Sequence, residues 1–304
     1  MNVPISIGLP VYNGAIYLDD ALRSIRSQTF TDFEVVICDN ASTDATAEIC
    51  LNHAAQDARI RFYRQPKNIG AAGNYNDTFY RAGGKYFKWA AHDDMIEPTF
   101  LERCFERLED DLHAGVAFAR MREITAGGRP LRDYRQKLDW EGANAEQRIK
   151  SLLCSAPDRT YIHRCVPITG LMRADMLRKT RLIGRFNHSD KVALLEMALL
   201  GDFVEVPEYL FLRRMHEQTS LAANRSPQEL ATWFDPSRRT RFVLPRSRLF
   251  IEYGRAILRA DIPLHTRAAC LAPLLRLLHR DWRIFGGEIK RAIFANAHPS
   301  GTVS

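Results

Sequence analysis

Residues 33–46, FEVVICDNASTDAT, decide the fold of this chain of 304 residues. The apolar run at 33–38 predicts a buried strand, and the polar residues that follow predict a loop at its carboxyl end. Ser42 or Thr43 is a good N-cap for a helix that continues to about residue 55. A strand, a loop and a helix in this order form the repeating unit of a parallel sheet covered by helices on both faces.

The same unit recurs through the first 120 residues and returns after residue 165. Strands are predicted from apolar runs at 5–9 (ended by Pro10), 60–63, 86–90, 114–119, 168–172, 203–206 and 209–212. Helices are predicted from apolar spacing around 18–28, 74–82, 98–108 and 190–200, and throughout the arginine-rich region after residue 226. We therefore predict an α/β fold with a mostly parallel sheet and a C-terminal helical extension.

Four polar segments fall at the carboxyl ends of predicted strands. They are residues 10–13, 39–40, 68–70 and 92–94. Ligands of open α/β sheets bind beyond these ends, so we expect the four segments to converge at one edge of the sheet and to form a nucleotide-binding site there.

The segment at 92–94 contains two adjacent acids, Asp93 and Asp94, directly after a strand. Neighbouring carboxylates repel each other, and a divalent cation such as Mg²⁺ or Mn²⁺ relieves that repulsion and bridges to phosphate oxygens. The alternative is that the acids only cap the helix that Glu97-Pro98-Thr99 opens.

Composition and cysteine use indicate a reducing compartment. The chain is 46% hydrophobic and 26% charged, as ordinary globular proteins are. Its six cysteines show no C-x-x-C pair, which favours free thiols in the cytoplasm and argues against structural zinc. We find no signal peptide and no apolar stretch of about 20 residues that would cross a bilayer.

The net charge of +7 belongs to the C-terminal part, because residues 213–293 hold 16 Lys and Arg against 7 Asp and Glu. Such a region can lie peripherally on the inner face of the cell membrane, or it can be the solvated face of packed helices. We favour the second interpretation. The absence of a nucleic-acid-reading motif argues against a nucleic-acid partner.

Several motifs in order resemble an inverting family-two glycosyltransferase of the GT-A fold, over roughly residues 3–220. The segments that carry the resemblance are 3–13 (VPISIGLPVYN), 35–46 (VVICDNASTDAT), Asn68-Ile69-Gly70 with Asn74, His92-Asp93-Asp94, Ser189-Asp190 and Arg214-x-His216. His92 stands where the family more often has an acid, and Ser189 stands where it more often has Glu.

The resemblance implies a role for each matching residue. Asp190 would be the catalytic base, although it is also placed to cap its helix. Asp94 and His216 would bind Mn²⁺ or Mg²⁺. Contacts to the nucleotide-sugar donor would come from Pro10, Tyr12, Asn13, Asp39, Asn40, Lys67, Asn68, Gly70, Asn74, His92, Asp93 and Arg214. For Tyr12, which would stack on the base, the alternative is a half-buried core aromatic.

The resemblance further implies transfer from a UDP-sugar to a glycan or lipid-linked hydroxyl acceptor, in surface polysaccharide or glycolipid synthesis. We expect a glycosyltransferase domain at 1–225, with its nucleotide-binding half at 1–120 and its acceptor-binding half at 121–225, and a basic extension at 226–304. One alternative is a non-catalytic membrane or nucleic-acid adaptor. Another is a sugar nucleotidylyltransferase, but residues 9–14 lack its glycine-rich basic loop.

Overall fold

A computed structural model describes residues 3–134, 140, 142–154, 166–217, 219, 226–237 and 244–297 of the chain. Within these residues one mixed sheet forms the centre of the molecule. Its strands are β1 (Ile5–Val11), β2 (Phe33–Asp39), β3 (Ile60–Arg64), β4 (Tyr86–Trp89), β5 (Met95–Ile96), β6 (Ala114–Ile124), β7 (Pro130–Asp133), β8 (Leu171–Arg173) and β9 (Asp202–Arg214).

The strand order is β3-β2-β1-β4-β8-β6-β9-β5, and β7 pairs with β6 beside this path. The first four strands of the order pair in parallel, and β6 pairs in parallel with β9. Strand β8 is antiparallel to both of its neighbours. The predicted α/β fold with a mostly parallel sheet is confirmed.

Helices cover the sheet and continue after it. They are α1 (Ala15–Arg26), α2 (Thr46–Gln56), α3 (Gly70–Tyr80), α4 (Phe100–Asp110), α5 (Ala145–Cys154), α6 (Ala174–Arg178), α7 (Ser189–Leu200), α8 (Pro227–Phe234), α9 (Pro245–Arg259) and α10 (Leu264–Ala297). Every residue of β1 is buried, as expected of a central strand that is covered on both faces. On α1, Leu18, Leu22 and Ile25 are buried at helical spacing.

Several predicted boundaries of strands and helices were wrong. Strand β1 continues through Pro10 to Val11. Helix α2 begins at Thr46 rather than after Ser42 or Thr43, because both of those residues bond to the loop after β1 instead. Helix α3 begins at Gly70, four residues earlier than predicted.

The two strands predicted around Pro207 are one continuous strand, β9. Pairing between β6 and β9 stops at Ala119↔Val206 and resumes at Met121↔Phe211. Pro207 lies in this interruption, where its missing N–H breaks no ladder hydrogen bond between the two strands. The strand predicted at 168–172 is shortened to β8, because a helical turn at 166–169 precedes it.

The C-terminal helices pack against the sheet domain. Helix α9 contacts α7, and Arg181 joins the two by ion pairs to Glu196 and Glu252. The expected boundary at residue 225 falls outside the described residues, and much of the segment at 120–165 does as well. The division of the chain into two domains therefore stays a prediction.

Candidate active site

The loops after β1 and β2 are bonded to each other. Asn13 adopts a left-handed conformation with φ 50°, which asparagine tolerates better than most residues. Its backbone N–H donates to Ser42 Oγ at 2.9 Å, and its side-chain Oδ1 accepts from the Thr43 N–H at 2.8 Å. These two bonds replace the helix cap expected of Ser42 and Thr43 and fix the loops side by side.

A second set of amide bonds joins the loops after β2 and β3. Asn40 Nδ2 donates to Asn68 Oδ1 at 3.0 Å, and Asn40 Oδ1 accepts from the Ile69 N–H at 2.9 Å. Asn74 Nδ2 donates to the Cys38 carbonyl at 2.7 Å. Asn74 Oδ1 is buried and has no hydrogen-bond partner among the described residues, so it is an available acceptor beside the strand ends.

The acid pair lies after β4 and is held by β9. The Arg214 N–H donates to Asp94 Oδ1 at 2.9 Å. Asp93 Oδ2 lies 3.0 Å from His216 Nε2, whose ring packs against Tyr17 with 4.4 Å between the ring centroids. The pair thus has a fixed position between two strands rather than on an exposed helix end.

The electrostatics of Asp94 are unfavourable in the absence of a cation. Burial and then the negative charge of Asp93 raise the pKa of the Asp94 carboxyl to about 7, even though the Arg214 N–H opposes the shift. Burial also lowers the pKa of His92, which packs beside Gly14. Near neutral pH, a cation bound at this point would therefore stabilise the ionised form of the Asp94 carboxyl.

The donor set suits a hard divalent ion only in part. Among the described residues, no three His, Cys, Asp or Glu side chains are arranged to hold a metal ion. The Asp93 carboxylate is nevertheless in contact with the His216 imidazole, and Asp94 is the next residue along the chain. Mg²⁺ is typically bound by one or two carboxylates together with substrate phosphates and water, so these residues fit an ion that arrives with a diphosphate.

The converging loops form a cleft of about 830 Å³. The predicted site residues that line it are Pro10, Tyr12, Asn13, Asn40, Asn68, Asn74, His92, Asp93, Asp94, Arg214 and His216. The expected convergence of strand-end segments is therefore found, because all four contribute to the wall. The side chain of Tyr12 is 41% exposed, which suits a stacking surface better than a core aromatic.

Three of the predicted donor-binding residues do not line the cleft. Asp39 is fully buried, accepts from the Ser42 N–H at 3.0 Å, and has its second oxygen 3.3 Å from Arg64 Nε. Lys67 is exposed on the loop that precedes α3. Gly70 packs under α8, with φ +81°. Their contact with a donor stays a prediction.

Asp190 lines a second, smaller cavity of about 300 Å³. It lies in the first turn of α7, after His188 in a left-handed conformation with φ 63°. Four residues line both this cavity and the larger cleft, namely Tyr75, Asp94, Arg213 and Trp233. Burial raises the pKa of Tyr75, and the charges of Asp93, Asp94 and Asp190 raise it further, so all three acids act on one side chain.

Arg214 and Arg213 differ in their surroundings. The Arg214 guanidinium is buried and donates to the Asp93 carbonyl (3.0 Å), the Ala126 carbonyl (2.6 Å) and Asp20 (2.9 Å). In this arrangement it binds protein groups, and its reach toward a diphosphate stays a prediction. Arg213 has Glu123 as a carboxylate neighbour at 3.7 Å and lies between the two cavities.

Sequence reasoning missed several residues that line the site. Tyr17, Tyr75, Arg213 and Trp233 gave no signal of their own. For Trp233 the sequence signals only the start of its helix, because Ser226 and Glu229 form a capping box that begins α8. Lys88 was also missed; it is fully buried on β4 and donates to the Thr169 carbonyl, and Thr169 lines the smaller cavity.

Comparisons with known proteins agree on one family. The sequence model described as "Glycosyl transferase family 2" matches residues 6–181. Among curated proteins, the chain is 30% identical to a chondroitin synthase of Escherichia coli over 197 residues, which are 62% of this chain and 28% of that protein. The chain thus spans less than a third of the length of this relative.

Solved structures show the same fold. TarS residues 1–349 of S. aureus in complex with UDP superpose with a TM-score of 0.66 at 18% identity, covering 92% of this chain and 72% of that one. The mannosyltransferase PcManGT of Pyrobaculum calidifontis, in complex with GDP-Man and Mn²⁺, gives a TM-score of 0.54 at 14% identity and covers 99% and 89% of the two chains.

Proposed function

The chain belongs to glycosyl transferase family 2, and from that membership we propose that it moves one sugar, with inversion, from a nucleotide-sugar donor to a hydroxyl acceptor. The observation that carries the proposal is the position of Asp94. It lies in the wall of the cleft at the strand ends and also in the wall of the cavity that contains Asp190. A donor in the cleft and an acceptor in the cavity would meet there.

In this proposal the cleft binds the nucleotide diphosphate. Tyr12 offers a flat, exposed surface for the base, and Asn74 Oδ1 offers a free acceptor among the described residues. Asp93, oriented by His216, faces the ribose or the donor sugar. A UDP-sugar is the first choice of donor, because TarS, which has a similar fold, was solved in complex with UDP.

The departing diphosphate gains negative charge, and the site must stabilise it. A bound Mn²⁺ or Mg²⁺ would supply Lewis-acid stabilisation of that charge, held by Asp94 and His216. The mannosyltransferase with a similar fold was solved with Mn²⁺. Arg213, between the two cavities, would add a second positive charge near the same oxygens.

Asp190 would act as the general base. It takes the proton of the acceptor hydroxyl as that oxygen attacks the anomeric carbon from the face opposite the diphosphate. One base is enough for inversion, because a stabilised diphosphate leaves without being protonated. The apolar wall of the smaller cavity, with Ile168, Phe211 and Leu230, would exclude water from the acceptor oxygen.

We propose that the acceptor is a growing surface polysaccharide or a glycolipid, as the match to a chondroitin synthase suggests. We also place the reaction in the cytoplasm. The four cysteines described as free, Cys38, Cys50, Cys104 and Cys270, are buried thiols that suit a reducing compartment. Family membership favours glycosyl transfer over both the adaptor and the nucleotidylyltransferase alternatives.

A panel of sugar nucleotides tests the proposal directly. We expect thermal stabilisation by one nucleotide diphosphate that depends on Mn²⁺ or Mg²⁺, together with slow hydrolysis of the matching donor without acceptor. Product released by Asp190-dependent transfer should have inverted anomeric stereochemistry by NMR. No stabilisation by any nucleotide diphosphate, with or without metal, would overturn the donor assignment.

A further inference from the structure

Helix α10 has three distinct faces along its described side chains, which end at residue 291. One face is buried against α5 and α9. It carries Cys270, Leu274, Leu277, Asp281 and Glu288. Glu288 accepts hydrogen bonds from the Arg246 and Ser247 N–H groups at the start of α9, which fixes the rotation of the helix on the protein.

A second face is apolar and exposed. Its large side chains after Pro273 are Leu275 (64% exposed), Leu278 (39%), Trp282 (58%) and Ile289 (50%). At 100° per residue, these four side chains fall within about 60° of the helix circumference and extend over about 21 Å of its length. We call this the apolar stripe. Four neighbouring exposed apolar side chains on one face are more than the scattered single apolar residues of an ordinary surface.

A third face is basic and adjoins the stripe. Arg276, Arg283 and Lys290 recur every seven residues, so they form one row about 110° round the helix from the stripe, and all three are exposed. The only acidic residues between 264 and 291 are Asp281 and Glu288, and both are buried. The exposed surface of the helix therefore carries positive charge without any carboxylate.

We propose that this face of α10 lies on an anionic membrane surface, with the apolar stripe at the level of the acyl-chain boundary and the basic row on lipid phosphates. A narrow apolar stripe flanked by cationic side chains is the pattern of helices that lie in the plane of a bilayer. Trp282 at its centre is a residue type favoured at the membrane interface. Among the described residues, no helix is both long enough and apolar enough to span a membrane, so the proposed contact is a peripheral one.

This contact reverses the interpretation that the sequence favoured, in which the arginines are only a solvated face. The sequence pattern showed the apolar and basic residues but not which of the apolar side chains are buried. The structure buries Leu274 and Leu277 and leaves Leu275 and Leu278 exposed. If the arginines were only part of a solvated face, large apolar side chains such as Leu275 and Leu278 would not be expected beside them at the surface.

The membrane contact does not depend on the proposed function, but it would serve it. Helix α10 packs on α9, and α9 packs on α7, whose first turn carries Asp190. Under the proposed function, membrane binding would hold the acceptor cavity near a lipid-linked hydroxyl.

Vesicle co-sedimentation of the full chain tests the proposal. We expect binding to vesicles of phosphatidylcholine with roughly a third phosphatidylglycerol, weaker binding to pure phosphatidylcholine, and release as salt is raised. Leu275→Glu with Leu278→Glu should abolish the binding. Arg276→Gln with Arg283→Gln should weaken it about fivefold for each charge removed.

Matched controls use exposed residues outside α10 and outside α5 and α9, which pack against it. Leu51→Glu with Leu112→Glu, and Arg129→Gln with Arg132→Gln, should bind vesicles as the unchanged protein does. All variants are first compared by circular dichroism, so that loss of folding is separated from loss of binding. Quenching by brominated lipids should be clearly weaker in Trp282→Phe, because Trp282 would be the tryptophan nearest the acyl chains.

Three outcomes would overturn the proposal. The first is that the full chain stays in the supernatant with anionic vesicles at low salt. The second is that the apolar-stripe variant sediments like the unchanged protein. The third is a dimer in sedimentation velocity that Leu275→Glu with Leu278→Glu dissociates, since a second copy of the chain would then cover the stripe.

Discussion

The backbone N–H of Arg214 donates a 2.9 Å hydrogen bond to Asp94 Oδ1, which joins the end of β9 to the acid pair after β4. The two residues are 120 positions apart in the chain. The bond gives one carboxylate oxygen a fixed partner. Asp94 is therefore a positioned group rather than a mobile surface acid, and several predictions concern it.

Metal-dependent nucleotide binding should weaken as pH falls. A metal ligand must be deprotonated, and the Asp94 carboxyl has a pKa of about 7 without metal. We expect Mn²⁺-dependent affinity for UDP to fall about fivefold between pH 7 and pH 6, because the deprotonated fraction of a group with a pKa of about 7 falls by that factor. Calorimetric titration measures this directly. Asp94→Asn should lose the metal-dependent part, whereas the exposed Asp110→Asn should keep it; unchanged binding in Asp94→Asn would contradict the ligand role.

The same carboxyl should destabilise the metal-free protein as pH rises. Its pKa is raised from 3.8 in the unfolded chain to about 7 in the folded one, so folding stability is lost progressively between about pH 4 and pH 7. The loss is at most about 4 kcal/mol and is reduced by solvent screening. Asp94→Asn should therefore raise the free energy of unfolding more at pH 8 than at pH 5 in urea titrations with chelator. Equal effects at both pH values would show that the shift is absent.

Replacement of the proposed base should separate binding from transfer. Asp190→Asn keeps the size of the side chain and the start of α7 but removes the proton acceptor. We expect kcat to fall by about 10² to 10⁴, with donor affinity within a factor of two. The exposed Asp175→Asn, on α6, is the control. Full turnover by Asp190→Asn would remove Asp190 as the base.

Gly70 should be needed for its backbone conformation. Its φ of +81° is unfavourable for other residues, and an added Cβ would lie 2.5 Å from the Phe234 carbonyl oxygen and 2.7 Å from Pro236 Cδ. Gly70→Ala should cost about 1–3 kcal/mol of unfolding free energy and shift α8, which carries Trp233 into the cleft wall. Donor affinity should fall with it. Gly83→Ala, whose Cβ would meet only Glu34 at 3.7 Å, should change neither quantity.

Two substitutions of His216 distinguish metal binding from the orientation of Asp93. The His216 Nε2 atom lies 3.0 Å from Asp93 Oδ2, and a glutamine amide can make the same bond. If His216 also binds the metal, both His216→Gln and His216→Ala should lower Mn²⁺ affinity. We expect this result in Mn²⁺ titrations followed by UDP binding. Normal affinity in His216→Gln alone would assign the residue to orienting Asp93.

Much of this site could be predicted from the sequence because its residues directly follow strands that are themselves recognisable from a short stretch of sequence. Strand ends are marked by polar residues, and parallel strands present those ends at one edge, so Tyr12, Asn40, Asn68 and Asp94 were expected together. The structure brings their segments into one cleft. The acid pair after β4 was identifiable for the same reason.

The remaining features could not be predicted because they depend on partners distant in sequence. Asn13 bonds across loops to Ser42 and Thr43, which displaced the expected cap of α2. The side-chain amide of Asn40 bonds to Asn68 in the loop after β3. Nothing in the pattern around Trp233 indicates that α8 lies over the cleft. The use of Arg214 as a donor to Asp20 and to two carbonyls likewise depends on where three other segments are placed.

The unbroken length of β9 limits how this family member can vary. Successive side chains of a strand point to opposite faces, so Arg213 and Arg214 project in opposite directions. One residue inserted or deleted between Phe211 and Arg214, where β9 pairs with β6, would exchange those directions and move the bond to Asp94 onto a different residue. Length changes should therefore accumulate elsewhere among natural homologues, while the stretch between Phe211 and His216 keeps a constant number of residues.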